Sequence, residues 1–216
     1  MQPTELPQAY CSRWRDPWSL WKENAIYLCT RLSFVGMKMI NIVAAETQMH
    51  YQDIRELLAE FVATDATQLR QLGLDTQAAL DFYFASGQEE LPGVYAPPGG
   101  RMFLATYSTK AAGCGAFRKL SSDSCEMKRM YVRPEFRGKQ VGWQLATSLI
   151  LAAREAGYGI MRLESTTYSD KANALYSALG FRICPPYYVT SEAFRDIIVC
   201  MELDLVKSIM NREPRT

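Results

Sequence analysis

The stretch "CEMKRMYVRPEFRGKQVGWQL", Cys125 to Leu145, limits the fold more than any other part of this chain. A strand-like run gives way to a basic loop, and the loop feeds directly into an apolar, helix-periodic segment. Arg133, Arg137, Lys139, Gly138 and Gly142 all fall within that loop or at its end. Such a loop suits an anion. The first turn of a helix has N–H groups without partners and a partial positive charge. Glycine lets a phosphate come close to the backbone, and a nearby arginine adds a charge-assisted grip. A solvated basic turn would look the same in isolation, so the flanking sequence has to decide.

Before the loop lie three strand-like runs, "RMFLATYS", "AAGCGAFRKL" and "CEMKRMYV", separated by the short turns "TK" and "SSDS". They predict an antiparallel meander. After it, a helix is expected from Val141 to about Ala156, stopped by Gly157. The strand "GIMRLES" follows, then a helix around "DKANALYSAL" closed by Gly180, then the strands "FRICPPYY" and "RDIIVCMELDL". Further upstream, "INIVAAET" reads as a strand. Ile54, Leu57, Leu58, Phe61 and Val62 fall on one helical face, and a second helical stretch covers "DTQAALDFYFA". The fold class is therefore α/β: a mixed, mostly antiparallel sheet of about six to seven strands with helices on both faces. The basic loop lies at the carboxyl end of a central strand, where open α/β sheets place their ligands.

The 216 residues suit one domain with appendages: an extension over 1–38, the domain over 39–205 and a tail over 206–216. The extension contains Trp14, Trp18 and Trp21 at helical spacing, which leaves open an aromatic docking segment, a packed element or an arm. With Lys+Arg 24 against Asp+Glu 23, general attraction to nucleic acid or an anionic membrane is not expected. Six scattered cysteines without a C-x-x-C pair, and the single histidine His50, argue against a metal site and for reduced thiols in the cytoplasm. The most apolar early stretch is too short to span a bilayer.

The run from Cys125 to Tyr188 resembles the GNAT superfamily of acetyl-CoA-dependent N-acetyltransferases, with weaker similarity reaching back to about Met39. The resemblance implies a sheet in which "CEMKRMYV" and "GIMRLES" splay apart around the pantetheine arm of acetyl-CoA. The backbone of Met130, Tyr131 and Val132 would then pair with the pantetheine amides. The family's pyrophosphate loop falls on Arg137, Gly138, Lys139, Gln140, Val141 and Gly142. Gln140 stands where a glycine is usual, and its N–H remains a donor there if φ stays negative. Ser169 replaces a frequent asparagine, while Asn173 fits a common variant of that cofactor contact.

Acetyl transfer to an amine needs a base for the amine, donors for the developing oxyanion and a proton for the departing thiolate. By resemblance, Glu126 is the base, a backbone N–H near Met130 the oxyanion donor and Tyr176 the acid. The residues alone equally allow Glu126 as a strand residue paired with Lys128 or Arg129, and Tyr176 as an aromatic core residue. Arg137 and Lys139 are the expected phosphate partners and Arg133 a solvated turn residue. His50 is expected at a helix start, and Cys125 as a buried thiol. The activity implied is transfer from acetyl-CoA to a primary amine of a small molecule or peptide, through a ternary complex and without a metal. An acyl-CoA-binding domain with little turnover is the alternative. Tyr187, Tyr188 and Glu192 are candidates for a cationic acceptor, and members of the family often form homodimers.

Overall fold

The computed structural model describes residues 39–74, 76–77, 91–188 and 194–206. Residues 1–38 with their tryptophans, most of "DTQAALDFYFA", Glu192 and the tail from 207 onward lie outside the described residues.

Strand β1 (Ile40–Ala44) leads to helix α1 (Gln48–Gln71). Thr47 caps the helix, its Oγ1 accepting from the N–H of His50 at 3.2 Å, and the N–H of Glu46 donates to His50 Nδ1 at 3.3 Å. His50 is thus a helix-start residue, as expected. The helix runs well beyond Val62 and buries Ile54, Leu57, Ala66 and Leu69. Strands β2 (Arg101–Tyr107), β3 (Lys110–Lys119) and β4 (Ser124–Val132) form the expected antiparallel meander.

Helix α2 (Val141–Glu155) begins directly after the basic loop and ends before Gly157, whose φ of +88° suits glycine. Strand β5 (Ile160–Thr166), helix α3 (Asp170–Ala178), and strands β6 (Arg182–Ile183) and β7 (Ile198–Asp204) complete the order. "FRICPPYY" is a strand only at Arg182 and Ile183. Pro185 and Pro186 lack the N–H that a ladder needs.

Among the described residues the sheet has seven strands in the order β1-β2-β3-β4-β5-β7-β6. Only β4 and β5 pair in parallel; every other neighbour is antiparallel. One face carries α2 and α3 over a core that includes Phe117, Met127, Leu149, Met161, Leu163, Tyr176 and Leu203. The opposite face carries α1 over Met102, Leu104, Cys114, Ala116 and Tyr131. Strand alternation therefore divides the charged residues of β4 and β5 from the apolar ones. Cys125 and Met127 face α2, so Glu126 and Lys128 face the side of α1; Met161 and Leu163 likewise leave Arg162 and Glu164 on that side.

Candidate active site

The site starts from a ladder that stops. Strands β4 and β5 pair only from Ser124–Ile160 to Met127–Leu163, although β4 continues to Val132 and β5 to Thr166. Beyond Leu163 the strands splay, as the resemblance implies. From Lys128 to Val132, the β4 edge toward β5 has no strand partner. The other edge still pairs with β3, at Lys128–Ala116, Tyr131–Cys114 and Val132–Gly113.

Between those pairs β4 holds two residues, Arg129 and Met130, against the single Gly115 of β3. This is a β-bulge, and Arg129 takes a left-handed φ of +59°. Gly115 leaves room there for two side chains: a Cβ would lie 2.5 Å from Met130 Sδ and 2.9 Å from Leu149 Cδ1, so both would have to shift. The bulge interrupts the β3–β4 ladder just before Tyr131 and Val132.

At its far end β4 delivers the chain into the loop. Arg133 is not the solvated turn residue expected. Its guanidinium donates to both carboxylate oxygens of Glu60 on α1, with Nη2 to Oε1 at 2.7 Å, and its Nη1 donates to the carbonyl of Ala111 at 2.7 Å. Arg133 thus ties α1, β3 and β4 together. Arg137 donates from Nε to the carbonyl of Val132 at 3.0 Å, which anchors its side chain beside the mouth of the gap. Lys139 folds back, with Nζ 2.6 Å from the Glu135 carbonyl and 5.1 and 5.3 Å from the ring centres of Tyr107 and Phe136. Arg137, Gly138, Lys139 and Gln140 are all exposed.

Gln140 corrects an expectation. Its φ is +64°, in the left-handed region, and Gly138 has φ +72°. The loop demands a left-handed backbone even without glycine at position 140, at a cost of roughly 1–2 kcal/mol for a side chain. Gln140 is also the N-cap of α2 but makes no side-chain cap bond, and no acidic residue lies in the first turn. The leading N–H groups of Val141 and Gly142 therefore keep their anion-binding capacity.

Glu126 is 1% exposed. Its Oε2 accepts from Arg118 Nε at 2.9 Å, and its Oε1 accepts from Tyr187 Oη at 2.8 Å and lies 3.4 Å from Lys128 Nζ. The pairing with Lys128 is thus present; Arg118 and Tyr187 are partners that the sequence did not suggest. Burial first, then the Glu126 carboxylate, pushes the Tyr187 phenol far up. Lys128 also lies 3.3 Å from Glu164 Oε2, so one ammonium joins carboxylates on both arms of the splay.

Tyr176 is buried in the apolar cluster under α2, edge-on to Phe181 at 5.8 Å between ring centres. Burial raises its hydroxyl to about 12, so it stays protonated across the working pH range. Asn173 donates from Nδ2 to the Thr166 carbonyl at 2.9 Å, which ties α3 to the end of β5, while its Oδ1 is buried without a partner. Ser169 bonds Thr166 through their hydroxyls at 2.7 Å. Cys125 is a buried thiol raised to about 12 by burial, as expected. On the α1 side, Tyr168 Oη donates to Asp65 at 3.2 Å, joining α1 to the turn after β5.

Among the described residues no helix is long and apolar enough to cross a membrane. Residues 98–183 match the model of the acetyltransferase (GNAT) domain. The chain is 32% identical over 152 residues to an uncharacterised N-acetyltransferase of Schizosaccharomyces pombe, which covers 69% of this chain and 86% of that protein. It is 38% identical over 96 residues to the uncharacterised N-acetyltransferase YjgM of Escherichia coli, over 43% of this chain and only 58% of that one. An acetyltransferase structure from Streptococcus agalactiae shares the fold, with a TM-score of 0.56 at 17% identity, covering 76% of this chain and 98% of its own. The chain belongs to the GNAT family of acetyltransferases. The splayed strands and the open helix start lie within the matched segment.

Proposed function

We propose that the protein transfers an acetyl group from acetyl-CoA to a primary amine of a small molecule or peptide, directly and in a ternary complex. One observation carries this reading. A β4 edge without a strand partner leads into a glycine-bearing turn and a helix start whose leading N–H groups have no side-chain cap. An extended amide-bearing chain ending in a diphosphate fits both parts.

Met130, Tyr131 and Val132 would hold the pantetheine amides through their backbone. The N–H groups of Gly138, Lys139, Val141 and Gly142 would receive the diphosphate, with Gln140 holding the left-handed turn between them. Arg137 stands at the mouth of the gap and supplies positive charge. Lys139 reaches the phosphates only by leaving the Glu135 carbonyl. Asn173, with its buried Oδ1, sits at the other arm as an acceptor for the cofactor.

Acetyl-CoA supplies an activated thioester. The residues of the chain have three tasks around it. Glu126 takes the proton of the amine, shifting its bond from Tyr187 or Lys128 to do so. A backbone N–H at the β4 bulge near Met130 faces the charge that grows on the acetyl oxygen. Tyr176, kept protonated by burial, gives its proton to the departing sulfur. Incubating the protein with acetyl-CoA and a panel of amines, while following free thiol, tests the reading. Thiol release with at least one amine supports it. Calorimetry that finds no heat with acetyl-CoA or CoA overturns it, and binding without turnover favours the acyl-CoA-binding alternative.

A further inference from the structure

Glu164 is the first β5 residue beyond the ladder with β4, so it stands at the point where the strands part. Its side chain is 6% exposed and faces the α1 side together with Glu126 and Lys128. Oε2 is held by Lys128 at 3.3 Å, but Oε1 is fully buried and has no hydrogen-bond partner. A carboxylate oxygen with nothing to accept is unfavourable in a packed interior, and natural cores seldom leave one. The charged groups around it are spoken for: Arg118 holds Glu126, Lys128 bridges Glu126 and Glu164, and Arg162 holds Glu202 at 3.3 Å.

We infer that Glu164 Oε1 is the docking point for the acceptor's nitrogen in its protonated form, which makes Glu164 a residue that selects the charged amine. The inference rests on the acetyl-transfer reading and deepens it. A carboxylate selects charge and hydrogen-bond donors together. An –NH3+ group brings three donors and no acceptor, and so satisfies Oε1 without competing for Lys128. The position is equally suited. Lys128 keeps Glu164 and Glu126 around one nitrogen, so an ammonium on Glu164 lies beside the carboxylate proposed to deprotonate it. Glu164 is then a specificity residue that touches the acceptor, with Lys128 as its positioning partner.

The test uses the whole chain loaded with CoA, after calorimetry has established that CoA binds. NMR titrations compare n-butylammonium with 1-butanol as its uncharged match. Butylammonium should give saturable shifts around Lys128 and Glu164, with butanol at least tenfold weaker. Glu164→Gln, which can still accept from Lys128, should lose about tenfold in butylammonium affinity while CoA affinity is unchanged. Glu202→Gln should leave both unchanged. Equal affinity for butylammonium and butanol, or no binding of butylammonium, overturns the inference; so does a Glu164→Gln protein that binds it as the parent does. The parent comparison does not depend on how well the variant folds, and Glu164→Asp offers a second variant. Failure of CoA itself to bind overturns the donor reading and this inference with it, and is seen at the first step.

Discussion

Tyr187 donates its phenol proton to Glu126 across the sheet, Oη to Oε1 at 2.8 Å, joining the loop after β6 to the middle of β4. A hydrogen bond to a buried charged group contributes about 1.5–3 kcal/mol. Tyr187→Phe should therefore lower stability by about that amount in denaturant titration. It should also free Glu126 Oε1, so KM for the amine is expected to change more than KM for acetyl-CoA.

Glu126→Gln keeps the shape and most of the bonds of the carboxylate but cannot take a proton. General-base catalysis contributes roughly 10²–10⁴-fold. A fall of at least about 10² in kcat/KM is expected, with CoA affinity retained. An unaltered pH profile of kcat/KM would remove Glu126 from the mechanism and leave it as a hub for Arg118, Lys128 and Tyr187.

Tyr176→Phe should fold as the parent does, because the ring packs on Phe181 and the hydroxyl contributes little to that cluster. Its kcat is expected to fall by about 10². The hydroxyl is raised to about 12, so the acid form persists through pH 10 and no alkaline limb below that should belong to this residue. A parent-like kcat in the variant would assign Tyr176 to packing alone.

Gln140 and Gly138 share a left-handed backbone, so a β-branched residue at either site is strained. Gly138→Val should cost about 1–2 kcal/mol and weaken CoA binding. Gln140→Gly relieves strain but adds chain entropy to the unfolded state, about 0.5–1 kcal/mol. Its net effect on Tm is expected to be small. Melting curves with and without CoA check both.

Asp65 on α1 has its carboxyl raised above 3.8, by burial chiefly, with the Tyr168 bond acting the other way. A raised folded value means the folded chain holds the proton more tightly than the unfolded one. Stability from this group is present below 3.8 and declines as pH rises through the folded value. Asp65→Asn should thus raise Tm at neutral pH, and the gain should shrink on acidification toward pH 3.8. A gain that grows on acidification would contradict the sign.

Local signals carried most of the fold. Gly157 and Gly180 were readable as helix stops because only glycine takes their φ of +88° and +98° without strain. The meander followed from alternation and short turns. The splay came from resemblance, since nothing in the composition of β4 or β5 says where a ladder stops. What stayed hidden was long-range. Arg133 read as a solvated turn residue because its partner Glu60 lies 73 positions away on α1. Glu126 draws partners from β3, β4 and the loop after β6, and Tyr187 is 61 positions from it. Gln140 misled for a different reason: the loop sets its backbone, and residue type alone suggested the commoner sign of φ. Nothing in the sequence marked Glu164, whose orphan oxygen is a property of the packed interior.

The break between β4 and β5 has a consequence for the apo chain. A sheet usually exposes its unpaired backbone at its outermost strands, where another protein's strand can add on and start aggregation. Here a second pair of rims lies in the middle of the sheet, where β4 and β5 part beyond Leu163. Main-chain hydrogen-bonding capacity is thereby kept inside the sheet as well as at its outermost strands.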